Sequence, residues 1–301
     1  MVTTIEDLPA DVLSRALRRL DGRSLAAASC ATSGLRALAA DPDTWRALCL
    51  AEWPSLARLD RRLLLDAIPP RRLFADASPF PSPDASAAPG LELELPERLV
   101  SAVDVYARGA PLLSRVVETP TSSSWFLGSP FRVEAVERRK PEPAAPIPCP
   151  AELELSWVVV DPARGRAVNV SSRRAVAVDR HWYTGETLVR FATVLGGCKF
   201  EAVVSCADLG RVAEVGLAVE DADGAAVASE GALRLLAAAM EAPRRGGEGE
   251  HEEATRRYQE FMRRKKGRKE SKARREALVD LCCSAASAVV VLTLIAAVAL
   301  R

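Results

Sequence analysis

Residues that commonly carry enzyme chemistry are sparse in this sequence of 301 residues. The two histidines, His181 and His251, are far apart, and no Cys/His spacing matches a zinc site. The pair Gly196-Gly197 is typical of a turn, not of a phosphate-binding loop. Several glutamates alternate along predicted strands, as on a solvated face, and they are Glu92, Glu94, Glu152 and Glu154. We therefore expect no catalytic residue, no metal site and no cofactor, and a protein that acts by binding.

Aromatic residues are the better candidates for a binding role. On a β-rich domain such residues usually belong to the core, and this simpler interpretation applies to each aromatic group: Trp125-Phe126, Trp157 and His181-Trp182-Tyr183. Trp182 and Tyr183 are nevertheless the best candidates for contact with a substrate, because Thr184 and Gly185 make their surroundings polar and loop-like.

Three short helices are predicted between residues 5 and 53. Pro9 suits the first turn of a helix whose apolar residues recur at a spacing of three to four. Asp21 or Ser24 can cap a second helix, and Asp41-Pro42 is a good start for a third. A cluster of this size buries little apolar surface alone, so we expect it to pack on a partner.

This segment resembles an F-box. The pattern of that family is a Leu-Pro pair, a leucine-rich helix ending in Leu-Asp, a Ser-Leu pair that opens the next helix, and a later tryptophan. The matching residues are Leu8, Pro9, Leu13, Leu17, Leu20, Asp21, Ser24, Leu25 and Trp45. Together with the stretch SRVVETPTSSSWFLGSPFRVE at residues 114–134, the layout resembles a group of plant F-box proteins with a β-rich domain after the box.

The resemblance implies a non-catalytic subunit of a Skp–cullin–F-box ubiquitin ligase, which recruits a protein substrate. The box would bind a Skp-type adaptor and, through it, cullin, by residues that the resemblance assigns: Leu8, Pro9, Leu13, Leu17, Leu20, Leu25 and Trp45. An apolar helix face of this kind suits a partner's groove. The alternative is a tail-anchored scaffold or lectin-like binding protein with no ligase role, in which the helices only cover the second domain.

The resemblance and the residue patterns together imply an α+β protein with a three-helix F-box, an antiparallel β-sandwich-like second domain and a single C-terminal transmembrane helix. Strand-like runs recur at about ten-residue spacing in the second domain. The predicted segments are the F-box (1–54), a helical extension (55–75), a Pro/Ala/Ser-rich linker (76–90), a β-rich substrate-binding domain (91–240), a flexible connector (241–253), a basic juxtamembrane helix (254–277) and a transmembrane tail anchor (278–300).

The tail prediction depends on an apolar run and its flank. Leu281–Leu300 holds twenty residues without charge or proline, and at about 1.5 Å per residue it matches the bilayer core of about 30 Å. The positive flank, represented by Arg263, Arg264, Lys265 and Lys266, predicts a single-pass protein on a lipid bilayer with its bulk in the cytosol, and not a nucleic-acid site. Cys282 and Cys283 fall at the predicted boundary, as acylation candidates or as ordinary small apolar residues.

The number of cysteines and the N-terminal sequence indicate a reducing compartment. The seven cysteines are odd in number and show no pairing pattern, which argues against a disulfide framework. The opening MVTTIEDLPAD is acidic and is not typical of a secretory signal.

Overall fold

The computed structural model describes residues 8–59, 68–78, 80–81, 94–137, 149–207, 211–245 and 249–299. Its helices are α1 (Ala10–Leu17), α2 (Gly22–Ala31), α3 (Ser33–Ala39), α4 (Pro42–Glu52), α5 (Pro70–Ala77), α6 (Ser124–Gly128), α7 (Ser229–Glu241) and α8 (Glu250–Ala299). Its strands are β1 (Phe80–Pro81), β2 (Arg98–Ala107), β3 (Ala110–Pro120), β4 (Arg132–Val136), β5 (Leu153–Asp161), β6 (Arg166–Asn169), β7 (Ala177–Arg180), β8 (Thr187–Leu195), β9 (Cys198–Cys206), β10 (Val212–Glu220) and β11 (Arg244–Arg245). Short 3₁₀ turns lie at Pro54–Arg58 and Pro150–Glu152.

Two antiparallel sheets carry the main core. One has four strands in the order β3-β2-β5-β6, and the other has five in the order β4-β10-β9-β8-β7. Apolar residues from both sheets and from α7 pack together, and Trp157, Phe191 and Phe200 are fully buried there. The predicted α+β fold, with N-terminal helices and antiparallel sheets, is confirmed in this respect.

The N-terminal cluster has four helices where the sequence predicted three. Asp21 caps α2 as expected, because its Oδ1 accepts a hydrogen bond from the Ser24 backbone N–H at 2.9 Å. The predicted second helix is broken at Thr32, which has extended dihedrals of −144° and 162°. Thr32 Oγ1 accepts from the Leu35 backbone N–H at 3.2 Å. The threonine therefore ends α2 and caps α3 in one step.

The helical cluster packs on the outer face of the four-stranded sheet. A second apolar core forms there from Cys49, Trp53, Leu56, Leu59, Ile68, Leu73 and Ala77 on the helical side and from Val100, Ala102, Val158, Val160 and Ala167 on the sheet. Because successive strand residues point to opposite faces, β2 and β5 are buried on both faces. This double burial explains why their sequences are almost continuously apolar.

Parts of the predicted connecting segments have a defined structure. Of the predicted linker 76–90, residues 76 and 77 end α5, and Asp76 Oδ2 lies 3.0 Å from Arg166 Nε on β6. Residues 79 and 82–90 lie outside the described residues, as does most of the proline-rich segment 140–150. The predicted connector 241–253 includes β11, where Arg244 pairs with Pro81.

Helix α8 corrects the predicted membrane anchor. Across the described part of the chain, no helix is long and apolar enough to cross a membrane. The apolar run is not a separate helix but continues α8, which begins at Glu250, is strongly charged and packs on the five-stranded sheet through Tyr258 and Phe261. The predicted transmembrane helix at 278–300 and the single-pass membrane localisation are therefore wrong, and the lipid bilayer is not supported as a partner.

Candidate functional surfaces

A strip of exposed apolar residues marks the start of α1. Leu8 and Val12 are 47% and 45% exposed, and Pro9 and Ala16 are exposed beside them. The Pro9 carbonyl accepts from the backbone N–H of Val12 at 3.0 Å and so begins the helix. We call Leu8, Pro9, Val12 and Ala16 the α1 strip. Residues four apart on a helix are neighbours, so Val12 and Ala16 form one surface, and adjoining exposed apolar residues are typical of docking sites.

The other residues of the predicted adaptor-binding set lie deeper. Leu17, Leu25 and Trp45 belong to the core of the helical cluster, and Trp45 Nε1 donates to the Ala39 carbonyl at 2.7 Å. Leu13 is also buried, and Leu20 is half-buried at the edge of this core. The buried members therefore hold the helices together, while Leu8 and Pro9 face outward. Val12 and Ala16 lie on the apolar face that the sequence predicts for this helix, but the predicted adaptor-binding set does not include them.

Buried hydrogen bonds join the helical cluster to the sheet. Asp104 on β2 is fully buried and accepts from the Ser55 backbone N–H at 2.9 Å and from Ser55 Oγ at 2.5 Å. Burial raises the pKa of the Asp104 carboxyl group. Trp53 Nε1 donates to Ser156 Oγ on β5 at 2.9 Å. Because these directional bonds accompany the apolar contacts, they define the orientation of the helices on the sheet.

Arg173 extends this junction to the surface. Its guanidinium carbon lies 4.1 Å from the centroid of the Tyr106 ring, and its nitrogens lie 3.2 Å from Glu52 Oε1 and 2.9 Å from Glu154 Oε2. The Tyr106 hydroxyl donates to the Glu52 carbonyl, and burial raises the pKa of the Glu52 carboxyl group. Arg173 and Glu52 line a cleft of about 480 Å³ between α4 and the sheet. The junction therefore has both apolar and charged contacts.

The turn between β7 and β8 carries the predicted substrate-binding pair. Trp182 and Tyr183 are 89% and 78% exposed, and their ring centroids are 5.6 Å apart. The His181 ring stacks on Trp182 at 6.4 Å with an interplanar angle of 20°. The structure thus brings these aromatic residues together outside the core. Trp125, for which the sequence favoured a core position, is 80% exposed at the start of α6.

The charged part of helix α8 is docked on the five-stranded sheet along one face. Lys199 on β9 is 3% exposed, and its ammonium lies 2.9 Å from Glu201 Oε1 and 5.6 Å from the Tyr258 ring centroid. Burial raises the pKa of Tyr258 to about 12. Lys265 pairs with Glu220 on β10. The docked face of α8 is therefore held by a buried cation between aromatic rings and carboxylates.

The other predicted flank residues lie away from the docked face. Arg263, Arg264 and Lys266 are exposed, and Arg264 pairs with Glu260 on the same helix. Cys282 and Cys283 are exposed free thiols further along α8. Within the ranges that the structure describes, no group of three or more His, Cys, Asp or Glu side chains could hold a metal ion.

Comparison with known proteins agrees with this geometry. The F-box-like family model matches residues 5–51. The probable F-box protein At2g36090 of Arabidopsis thaliana is 36% identical over 276 residues, which cover 87% of this chain and 82% of that protein. The F-box protein At3g44326 of the same plant is 36% identical over 290 residues, which cover 86% and 80% of the two chains.

Another plant F-box protein matches over a shorter stretch. The F-box protein GID2 of Oryza sativa subsp. japonica is 42% identical over 59 residues, or 20% of this chain and 28% of that protein. No solved structure matches the chain. Because the identity to the Arabidopsis proteins extends over most of both chains and not over the box alone, this chain belongs to the family of plant F-box proteins.

Proposed function

We propose that this protein is a substrate receptor of a Skp–cullin–F-box ubiquitin ligase. The observation that carries the proposal is the α1 strip, an exposed apolar surface on a cluster whose own core is already closed. A Skp-type adaptor would cover this strip and link the protein to cullin. The box (1–54) and the β-rich region (91–240) would then serve as the ligase-binding and substrate-binding parts.

Burial of the α1 strip would contribute a moderate free energy to adaptor binding. Leu8 and Val12 each keep almost half of their surface in water. Burying this exposed half against a partner contributes about 1 kcal/mol per side chain. The buried members of the motif, such as Leu17 and Trp45, act through the shape of the cluster. We expect the adaptor to contact the α1 strip directly. Its binding should also depend on the buried residues, because they hold the strip in place.

The remainder of the chain supports a receptor that works by proximity. Hydrogen bonds from Trp53 of the box to Ser156 and from the adjoining Ser55 to Asp104 connect the helical cluster to the sheet. A substrate held on the β-rich region would therefore have a defined position relative to the ligase. Ubiquitin transfer is then performed by other subunits, and the contribution of this chain is effective concentration. Trp182 and Tyr183 are our candidates for substrate contact, because they are large, exposed and adjacent.

Adaptor co-purification tests this proposal. The full chain should retain a Skp-type adaptor, and both Val12→Asp and the double change Leu8→Ala plus Pro9→Ala should lose it. Val178→Asp is a matched control, because Val178 is 43% exposed but lies on β7. Undiminished adaptor binding in both α1 variants would exclude the proposal.

A second candidate is a binding protein without a ligase role, whose helices only cover the sheet. The shared core favours it, because Trp53 and Leu73 bury the apolar outer face of β2 and β5. That core, however, uses α4 and α5 and leaves the α1 strip exposed. The same co-purification separates the two candidates, since a pure cover for the sheet would retain no adaptor.

A further inference from the structure

A basic cleft lies between α8 and the turn that follows β10. It has a volume of about 880 Å³ and is lined by Asp223, Arg264, Gly267, Arg268, Ser271, Lys272 and Arg275, which we call the α8 cleft. The turn approaches the helix closely: a Cβ at Gly224 would lie 2.7 Å from Lys265 Cε, and Gly224 has a φ of +87°. The positive φ favours glycine at this position, and any larger residue would displace the end of the Lys265 side chain.

The cations of the α8 cleft share one side of the helix. Arg264, Arg268 and Arg275 are separated by four and seven residues, so they lie along one stripe. Gly267 and Ser271 lie between them, and a Cβ at Gly267 would meet no atom within 4 Å. The cleft therefore offers several guanidinium and ammonium groups around an open space, with Asp223 as its one acidic lining residue.

The existing ion pairs in the α8 cleft leave it able to receive an anion. Arg268 Nη1 lies 3.1 Å from Asp223 Oδ1, but the two side chains are 58% and 65% exposed, and exposed pairs of this kind contribute little to stability. An incoming carboxylate can therefore replace Asp223 at small cost. Lys272 and Arg275 are exposed and have no carboxylate partner among the residues that the structure describes.

We propose that the α8 cleft binds an acidic stretch of the protein substrate. The arginine side chains suit carboxylates, which they bind with two parallel hydrogen bonds, and the excess of cations over the single carboxylate provides charge complementarity. The assignment of the acidic stretch to a substrate depends on the proposed receptor function. The binding of acidic peptides by the α8 cleft does not depend on that function.

A nucleic acid fits the α8 cleft less well. Single-stranded nucleic acids are bound by basic grooves interleaved with aromatic residues, and none of the described residues that line the α8 cleft is aromatic. The exposed pair Trp182 and Tyr183 lies in the turn before β8, whereas Lys199, which packs on α8, pairs with Val194 near the other end of this strand. The seven residue steps from Thr187 to Val194 place roughly 23 Å of β8 between the aromatic turn and Lys199. A polypeptide can cross this distance and use both.

The test compares two double variants of the full chain with the same change in charge. Lys272→Glu plus Arg275→Glu alters the α8 cleft, and Arg263→Glu plus Lys266→Glu alters the opposite side of the helix. The probe is a fluorescein-labelled oligoglutamate peptide, with binding followed by fluorescence anisotropy. We expect binding about tenfold weaker in the cleft variant and changed less than about twofold in the control. Asp223→Asn should strengthen binding, since it removes the competing carboxylate.

Three outcomes would overturn the proposal. The first is equal weakening in both double variants, which would show that only the total charge of α8 matters. The second is unchanged binding in the cleft variant while circular dichroism shows an intact helix. The third is preferential binding of a single-stranded oligonucleotide, lost in the cleft variant alone. Adaptor co-purification through the α1 strip is measured separately, so failure here is distinguishable from failure of the receptor function.

Discussion

The buried carboxylate of Asp104 offers the sharpest test of how the box is held on the sheet. It accepts from the Ser55 backbone N–H at 2.9 Å and from Ser55 Oγ at 2.5 Å, and its register partner on β3 is Ser114. The informative pair of changes is Asp104→Ala and Asp104→Asn. Alanine removes every acceptor, whereas asparagine keeps the shape and one acceptor oxygen.

The expected loss in the free energy of unfolding follows from the hydrogen-bonding groups that each variant leaves without a partner. In Asp104→Ala, the two donors of Ser55 remain buried without an acceptor, and each such group costs about 1–3 kcal/mol. Relief from burying a charge offsets part of this cost, so we expect a net loss of about 2–4 kcal/mol. In Asp104→Asn, the amide oxygen still accepts from the backbone N–H and the amide nitrogen can donate to Ser55 Oγ. The loss should then be about 1 kcal/mol.

The pH dependence gives a second readout of the same group. Burial raises the pKa of Asp104 in the folded state above its unfolded value, so between these two pKa values the folded state binds more protons than the unfolded state. Its contribution to the free energy of unfolding therefore decreases as pH rises through that interval and is lowest above the folded pKa. The Asp104→Asn variant lacks this dependence, and its stability relative to wild type should improve with rising pH.

Urea denaturation, followed by tryptophan fluorescence at several pH values, measures both effects, and Trp53 lies at the junction as a probe. The reasoning would be refuted by an alanine variant within about 0.5 kcal/mol of wild type. A relative stability of the asparagine variant that does not change with pH would refute the assignment of the buried charge. Adaptor binding by both variants serves as a control for an intact box.

Three further predictions concern separate parts of the molecule. Leu17→Ala should lower the free energy of unfolding by about 2–4 kcal/mol, whereas Val12→Asp should change it by less than about 0.5 kcal/mol, as measured by urea denaturation. Arg166→Ala should cost about 2–4 kcal/mol, because it leaves a buried carboxylate on α5 unpaired; a variant as stable as wild type would contradict this. Trp182→Ala plus Tyr183→Ala should leave the thermal midpoint unchanged and reduce the set of proteins captured after proteasome inhibition, as counted by mass spectrometry.

Short stretches of sequence were sufficient to predict the box motif and the caps of two of its helices. Asp21 and Asp41 cap helices as predicted, and hydrogen bonding from Ser24 and from Thr44 lowers the pKa of the respective carboxyl groups. Capping depends on residues within one turn, so it can be inferred from short stretches. The same holds for the family resemblance, which is carried by residue types at set spacings near Leu8 and Trp45. Alternating apolar runs likewise predicted β strands.

Other features depended on contacts between distant segments. The core position of Leu17 and the exposure of Val12 differ although both residues belong to one amphipathic helix, and only the packing of α1 on α3 decides which face closes. Strand β4 has only five residues and gains its place by pairing with β10. Trp125 and Trp157 have the same chemistry, yet one is exposed and the other fully buried.

The sequence by itself determined the starts of α1, α2 and α4, the box motif and the β character of the central region, because these follow from neighbouring residues and from short periodic patterns. The tertiary structure decided the course of α8, whose apolar end had suggested a membrane span and whose charged part docks through Tyr258 and Lys265. It also decided that the box lies on the sheet. The physical reason is that burial and ion pairing depend on which surfaces meet, and the composition of a single segment does not specify its partner.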